Sequence, residues 1–150
     1  MIAAALQLLR RAIWAPVLVL IIHRIVLHTP WRRQLDFCMH FSGGMAAAYL
    51  SWHAIECFQP WIGTLTRIGR VLFAFALALT IGVFWEFAEL AADVFAGTHI
   101  QHDVRETMGD LIADSCGAAL TLLLVNLRVI FSAASQTTPA DRGSAPASAD

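Results

Sequence analysis

Long apolar stretches separated by short polar segments dominate the first 131 residues of the chain. A helix that crosses a bilayer needs about 20 mostly apolar residues. Four stretches come close to that length, and they cover residues 12–28, 35–58, 71–92 and 107–130. We therefore predict an all-α, polytopic membrane protein in which residues 1–131 form a bundle of four transmembrane helices.

The chain changes character after Phe131, where serine, alanine, threonine and proline replace the large apolar residues. A segment of this composition has too little apolar surface to offset the entropy that ordering would cost. We therefore predict that residues 132–150 form a disordered polar tail.

The overall composition agrees with a membrane protein, since 58% of the residues are hydrophobic and only 14% are charged. The formal net charge of -1 provides no basic field that would attract nucleic acid. We expect the lipid bilayer to surround the chain, and we expect no nucleic-acid partner.

Arginine positions indicate an orientation. If the N-terminus lies in the cytoplasm, the arginines nearest the cytoplasmic side are Arg10, Arg11, Arg67, Arg70, Arg128 and Arg142, and four remain for the other side. Basic residues in short loops favour the cytoplasmic side of a membrane. The sequence thus favours cytoplasmic termini.

Acidic residues collect at the ends of predicted spans that share one membrane face. Glu86 and Glu89 are three residues apart, Asp110 and Asp114 are four apart, and each pair therefore lies on one face of its helix. Ionisable groups within a membrane are costly and normally face the protein interior. We predict that one shared site contains His40, Glu86, Glu89, Asp110 and Asp114.

The chemistry of this set is that of a divalent-cation site. Carboxylate oxygens suit magnesium, calcium or manganese, and a histidine nitrogen would also admit iron or zinc. Two other interpretations stay open, namely carboxylates held protonated by burial and a polar core that only fixes helix packing.

Several short motifs resemble a known family. Trp85-Glu86-Phe87-Ala88-Glu89 has the form WExxE, and Glu106-Thr107 through Asp110 is similar to DTxxD with glutamate in the first place. His40-Phe41 followed by Gly43-Gly44 resembles an HF–GG element. The chain thus resembles the YjdF-like family of small bacterial inner-membrane proteins, more distantly related to VanZ-like proteins.

The resemblance implies a multi-pass protein of the bacterial inner (cytoplasmic) membrane with a shared polar site, and it implies no settled reaction. Other polar residues in and near these motifs are expected to surround the ligands. They are Asp36, Asp93, Gln101, Glu106, Thr107 and Arg24.

Two classes of function follow. The site could bind a divalent cation or couple to protons, and a bound cation could serve a metal-dependent enzyme that acts on a lipid-linked substrate. The alternative is a non-catalytic interaction subunit, a partner or homo-oligomer component of a larger membrane complex, whose polar core is structural. The sequence leaves open whether the chain is an enzyme.

Overall fold

The computed structural model describes residues 1–101 and 103–136, and over these ranges every regular element is helical. The helices are α1 (Ile2–Ala12), α2 (Trp14–Val26), α3 (Arg32–Ile62), α4 (Arg67–Ala96) and α5 (Val104–Gln136). The predicted all-α class is confirmed.

Helix α5 continues through residues 132–136, where the tail was expected to begin, because the alanines there favour helix. The rest of the predicted tail, residues 137–150, lies outside the described residues.

The first predicted span, residues 12–28, corresponds to α2, and the helix before it, α1, was not predicted. Helices α1 and α2 meet at Ile13 with a bend of 51°. Pro16 explains the position of the break, because proline lacks the N–H that would bond to the carbonyl of Ala12, where α1 ends. Helix α2 has 13 residues and is too short to cross a bilayer alone, so a span in this region would need α1 as well.

Helix α3 is the central helix of the bundle, since it packs against each of the other four helices in the described chain. Its 31 residues correspond to about 46 Å of helix. It is long enough to cross a bilayer, yet its many small and polar residues leave it short of the hydropathy of a span. Neighbouring helices rather than lipid cover much of its surface, so a uniformly apolar sequence is not required there.

Helices α4 and α5 have the length and hydropathy of membrane spans. Thr66 caps α4, and its hydroxyl accepts a hydrogen bond from the backbone N–H of Gly69. Gly97 ends α4 in the left-handed conformation with a φ of 64°. Asp103 precedes α5 and accepts a hydrogen bond from the backbone N–H of Glu106, as an N-cap residue does.

The prediction of four transmembrane helices is not confirmed. In the described part of the chain two helices could cross a membrane by length and composition, and a third span is possible if the bent α1–α2 pair counts as one. Fewer spans than predicted are found because α3 lacks the hydropathy of a span and because the break at Ile13 separates α1 from α2.

Helices α3 and α5 approach each other closely through glycine. A Cβ atom on Gly44 would lie 2.0 Å from the backbone oxygen of Asp114, and one on Gly117 would lie 2.0 Å from the backbone oxygen of Phe41. Only glycine permits backbones to approach this closely. The contact places the polar start of α5 directly against the polar start of α3.

Candidate metal centre

His40 lies at the centre of a buried polar cluster built by three helices. Its Nδ1 atom lies 3.7 Å from Oε1 of Glu86 on α4 and 3.6 Å from Oδ2 of Asp114 on α5. Its Nε2 atom lies 4.0 Å from Oδ1 of Asp110. All four residues are less than 9% exposed. Three buried carboxylates thus face one imidazole, and when all three are ionised the cluster has an excess of negative charge in either protonation state of the histidine.

Glu86 has one satisfied and one unsatisfied carboxylate oxygen. The side-chain amide of Gln101 donates to Oε2 of Glu86 at 3.1 Å and to its backbone oxygen at 3.0 Å. The other oxygen, Oε1, is buried and has no hydrogen-bond partner. Because an unsatisfied buried acceptor is costly, this atom indicates a place for a cation or a proton.

Two overlapping groups of side chains could hold a metal ion. One consists of Asp36, His40 and Asp110, the other of His40, Glu86 and Glu89, and within each group the ligand atoms lie within 4.8 Å of one another. Metal–ligand distances of about 2.0–2.6 Å place the ligands of one ion at separations of this size. Small side-chain movements would therefore suffice to complete either site.

Glycines surround the carboxylate of Asp114. A Cβ atom on Gly82 of α4 would lie 2.8 Å from Oδ2 of Asp114, and one on Gly43 of α3 would lie 3.5 Å from Oδ1. The space that these residues leave empty is the space that the carboxylate occupies. The small-residue faces of α3 and α4 therefore create room for a charged group as well as close packing.

Glu89 is half-buried on α4, and its partner was not predicted. The indole N–H of Trp85 donates to Oε1 of Glu89 at 2.7 Å, and the Trp85 ring contacts His23 edge to face at 5.4 Å. Neither Trp85 nor His23 was predicted to belong to the site. The spacing of four residues places Trp85 and Glu89 on one helix face, and the sequence carries no comparable signal for His23.

The loop between α4 and α5 holds Gln101 in position. Asp93 accepts hydrogen bonds from the Thr98 hydroxyl at 2.5 Å and from the backbone N–H groups of Ile100 and Gln101 at 2.8 and 2.9 Å. Asp93 therefore organises the loop, while Gln101 contacts Glu86 directly. Both were among the residues expected to surround the ligands.

The remaining residues of that expected set occupy different places. Asp36 belongs to one of the two candidate ligand groups. Thr107 contacts the backbone oxygen of Asp103 at 3.5 Å, and Glu106 lines a small cleft with Asp36. Arg24 is exposed and lines a surface groove along α2 with Val17, Leu20, Ile21, Ile25 and His28, so the structure does not bring it into the cluster.

A second polar group lies near the other end of α3, around Glu56. Glu56 lies 3.1 Å from Nδ1 of His53, accepts from the indole N–H of Trp52 at 3.0 Å, and lies 3.6 Å from Nη1 of Arg70. Arg70 also lies over the Trp52 ring at 5.4 Å. Each oxygen of Glu56 thus has a partner, in contrast to Oε1 of Glu86.

Comparison with known proteins identifies the family of the chain. Residues 7–130 match the model of DUF2238, which is described as a predicted membrane protein. No curated protein and no solved structure matches the chain. The match covers most of the helical bundle, including the polar cluster around His40. The chain therefore belongs to the DUF2238 family of membrane proteins.

Proposed function

We propose that the cluster around His40 binds a divalent cation within the membrane. The observation that carries this proposal is the buried Oε1 atom of Glu86, which lacks a hydrogen-bond partner and lies 3.7 Å from Nδ1 of His40. A cation between the two would satisfy this oxygen and reduce the negative charge of the cluster.

Of the two candidate groups, the one formed by His40, Glu86 and Glu89 has the stronger support. It contains the unsatisfied oxygen of Glu86, and it leaves Asp110 near the Nε2 atom of His40. A carboxylate that accepts a hydrogen bond from the second ring nitrogen of a metal-bound histidine fixes the orientation of the ring. Asp110 would thus act as the acceptor that orients His40, and Asp114, which lies 3.6 Å from Nδ1, would act as a further ligand.

The chemistry that follows is that of a Lewis acid with access to the bilayer. A bound cation would polarise a phosphoryl or carbonyl oxygen, or activate water, for a lipid-linked substrate. If the cluster instead exchanges protons, the unsatisfied oxygen of Glu86 would be the group that takes up the proton. The cation hypothesis is favoured because a nitrogen and several oxygens converge on the same point.

The membrane arrangement proposed with this site has four crossings, with α1 and α2 together forming a bent first span and α3 an interior second span. Both termini would lie in the cytoplasm of a bacterium, in its inner membrane, and the metal site would face the opposite side. The YjdF-like and VanZ-like motifs are in keeping with this assignment. A reporter fused to the C-terminus that is active only outside the cytoplasm would contradict the orientation.

Cation binding to amide variants tests the function. We expect Glu86→Gln and Asp110→Asn each to weaken binding at least about tenfold, and the double variant to lose little more, because ligands of one ion act together. Glu89→Gln and Asp114→Asn are expected to behave in the same way. Glu56→Gln is the matched control, since Glu56 lies in a separate group on α3 and both of its carboxylate oxygens have partners.

All variants are compared at equal membrane expression and equal melting temperature. Losses that simply add, or an equal loss in the Glu56→Gln control, would contradict a shared site. Wild-type protein that never binds a divalent cation would favour the alternative function, a non-catalytic interaction subunit with a structural polar core.

A further inference from the structure

An apolar cavity of about 180 Å³ adjoins the polar cluster. Val19 and Leu20 of α2, Leu50 of α3, and Ala78 and Ile81 of α4 line much of it. His23, His40 and Asp114 also line it. The lining on α2 extends from residue 16 to residue 23, which corresponds to roughly 10 Å along the helix. The cavity is therefore elongated, with an apolar body and a polar end.

The cavity opens sideways rather than toward an end of the bundle. Helices α2 and α4 each pack on α3, but over their described lengths their backbones do not approach one another closely. Leu20 and Ile81, which face the cavity from these two helices, are 44% and 43% exposed. In a membrane, an opening bordered by exposed apolar side chains faces hydrocarbon. At the polar end, the contact between His23 and Trp85 bridges the two helices.

We infer that this cavity binds the alkyl chain of an anionic lipid, which enters between α2 and α4 and brings its head group to the His40 end. The inference rests on the proposed cation site, because the head-group oxygens would bind to that cation. A dry apolar cavity of roughly 150 Å³ is large enough for a benzene-sized hydrocarbon, so the volume here admits a short segment of a lipid chain.

The head group must supply the selectivity. The alkyl chain of a lipid that moves from the bilayer into an apolar cavity gains little from the hydrophobic effect, because both surroundings are apolar. A phosphate or carboxylate that reaches the cation would gain a charged interaction in a site with little water. A smaller cleft shares His23 and Met39 with the cavity, and residues of both charges line it: Arg32, Arg33, His99, Asp36 and Glu106. The cation, rather than this cleft alone, would therefore have to hold an anionic head group.

Photo-labelling in vesicles tests this inference. The probe is phosphatidic acid with a photoreactive diazirine in its acyl chain, diluted into phosphatidylcholine, and the labelled residues are mapped by mass spectrometry. We expect labels on the cavity-lining segments of α2 and α4 that excess phosphatidic acid displaces and excess diacylglycerol does not. Labels on exposed α5 residues such as Leu123 reflect surrounding lipid and should not be displaced by either competitor.

Two variants complete the design. Val19→Phe places a larger side chain in the cavity, and overpacking of this size should weaken the displaceable labelling roughly tenfold. Leu123→Phe is the matched control, because Leu123 is exposed on α5 and does not line the cavity, so its labelling of α2 and α4 should equal that of the wild type. Melting temperature and metal content are measured for every sample, which keeps folding and the cation site under control.

The inference would be overturned if the labelling of α2 and α4 is not displaced, or if Val19→Phe leaves it unchanged. Metal retained in the same samples would still support the proposed function. Displacement by diacylglycerol as effective as that by phosphatidic acid would also overturn the inference, since the head group would then have no role. Displaceable labelling by phosphatidic acid in wild-type protein without metal would contradict the proposed cation function, and it would overturn the role of the cation in holding the head group.

Discussion

Replacement of Gly44 by alanine tests the helix contact on which the polar cluster depends. The new Cβ atom would lie 2.0 Å from the backbone oxygen of Asp114 and 2.6 Å from its Cα atom. Non-bonded atoms of this kind pack at about 3.5 Å, so α3 and α5 would have to separate by roughly 1.5 Å at this point. Backbone atoms, unlike the end of a side chain, cannot rotate away from the clash.

The neighbouring residue Gly43 provides the reference for the expected loss of stability in Gly44→Ala. A Cβ atom on Gly43 would lie 3.5 Å from Oδ1 of Asp114, which is an ordinary contact. Both substitutions gain up to about 1 kcal/mol of helix propensity, whereas only Gly44→Ala carries an overpacking cost of about 1–3 kcal/mol. For a chain of this size, the difference corresponds to a melting temperature roughly 4–10 °C lower for Gly44→Ala than for Gly43→Ala.

The assay is thermal unfolding of both purified variants in the same detergent, followed by far-ultraviolet circular dichroism. We expect Gly44→Ala to melt clearly below Gly43→Ala and to bind cations less tightly, because Asp114 moves with α5. Equal melting temperatures for the two variants would refute the close contact between α3 and α5.

Three further substitutions have distinct expected outcomes. Gly82→Ala would place a Cβ atom 2.8 Å from Oδ2 of Asp114, so it should displace this carboxylate and weaken cation binding, measured by calorimetry, about tenfold with little change in melting temperature. Gly109→Ala meets no atom within 4 Å and should raise the free energy of unfolding by up to about 1 kcal/mol; a lower melting temperature would contradict its open helical position. Gln101→Leu removes the hydrogen bonds to Glu86 and should weaken cation binding about tenfold or more, and unchanged affinity would show that Gln101 does not orient Glu86.

The helical class and the meeting of the polar residues could be predicted from spacing. Residues three or four positions apart share a helix face, and alternation of helix direction brings the ends of successive helices together. This reasoning placed Glu86, Asp110 and Asp114 near His40, and the structure brings these four together. It required no knowledge of the helix boundaries.

Spacing could not show which helix would be central. Helix α3 has the composition of an interior helix because it is covered by its neighbours, and this cover depends on contacts between distant parts of the chain. The break at Ile13 follows from Pro16, yet a proline near a helix start is compatible with both one helix and two. The contacts of Trp85 with Glu89 and His23 depend on side-chain orientation, which a periodic pattern does not specify.

The metal content of the purified protein tests the central claim most directly. The protein is prepared without chelator or a metal-binding tag, loaded with magnesium, manganese, iron or zinc in turn, freed of excess ion and analysed by elemental mass spectrometry. We predict a stoichiometric divalent metal in the wild type and in Glu56→Gln, and its loss in His40→Ala and Glu86→Gln at equal melting temperature. Wild-type protein that retains none of these metals, or a Glu86→Gln variant that retains as much as the wild type, would contradict the account.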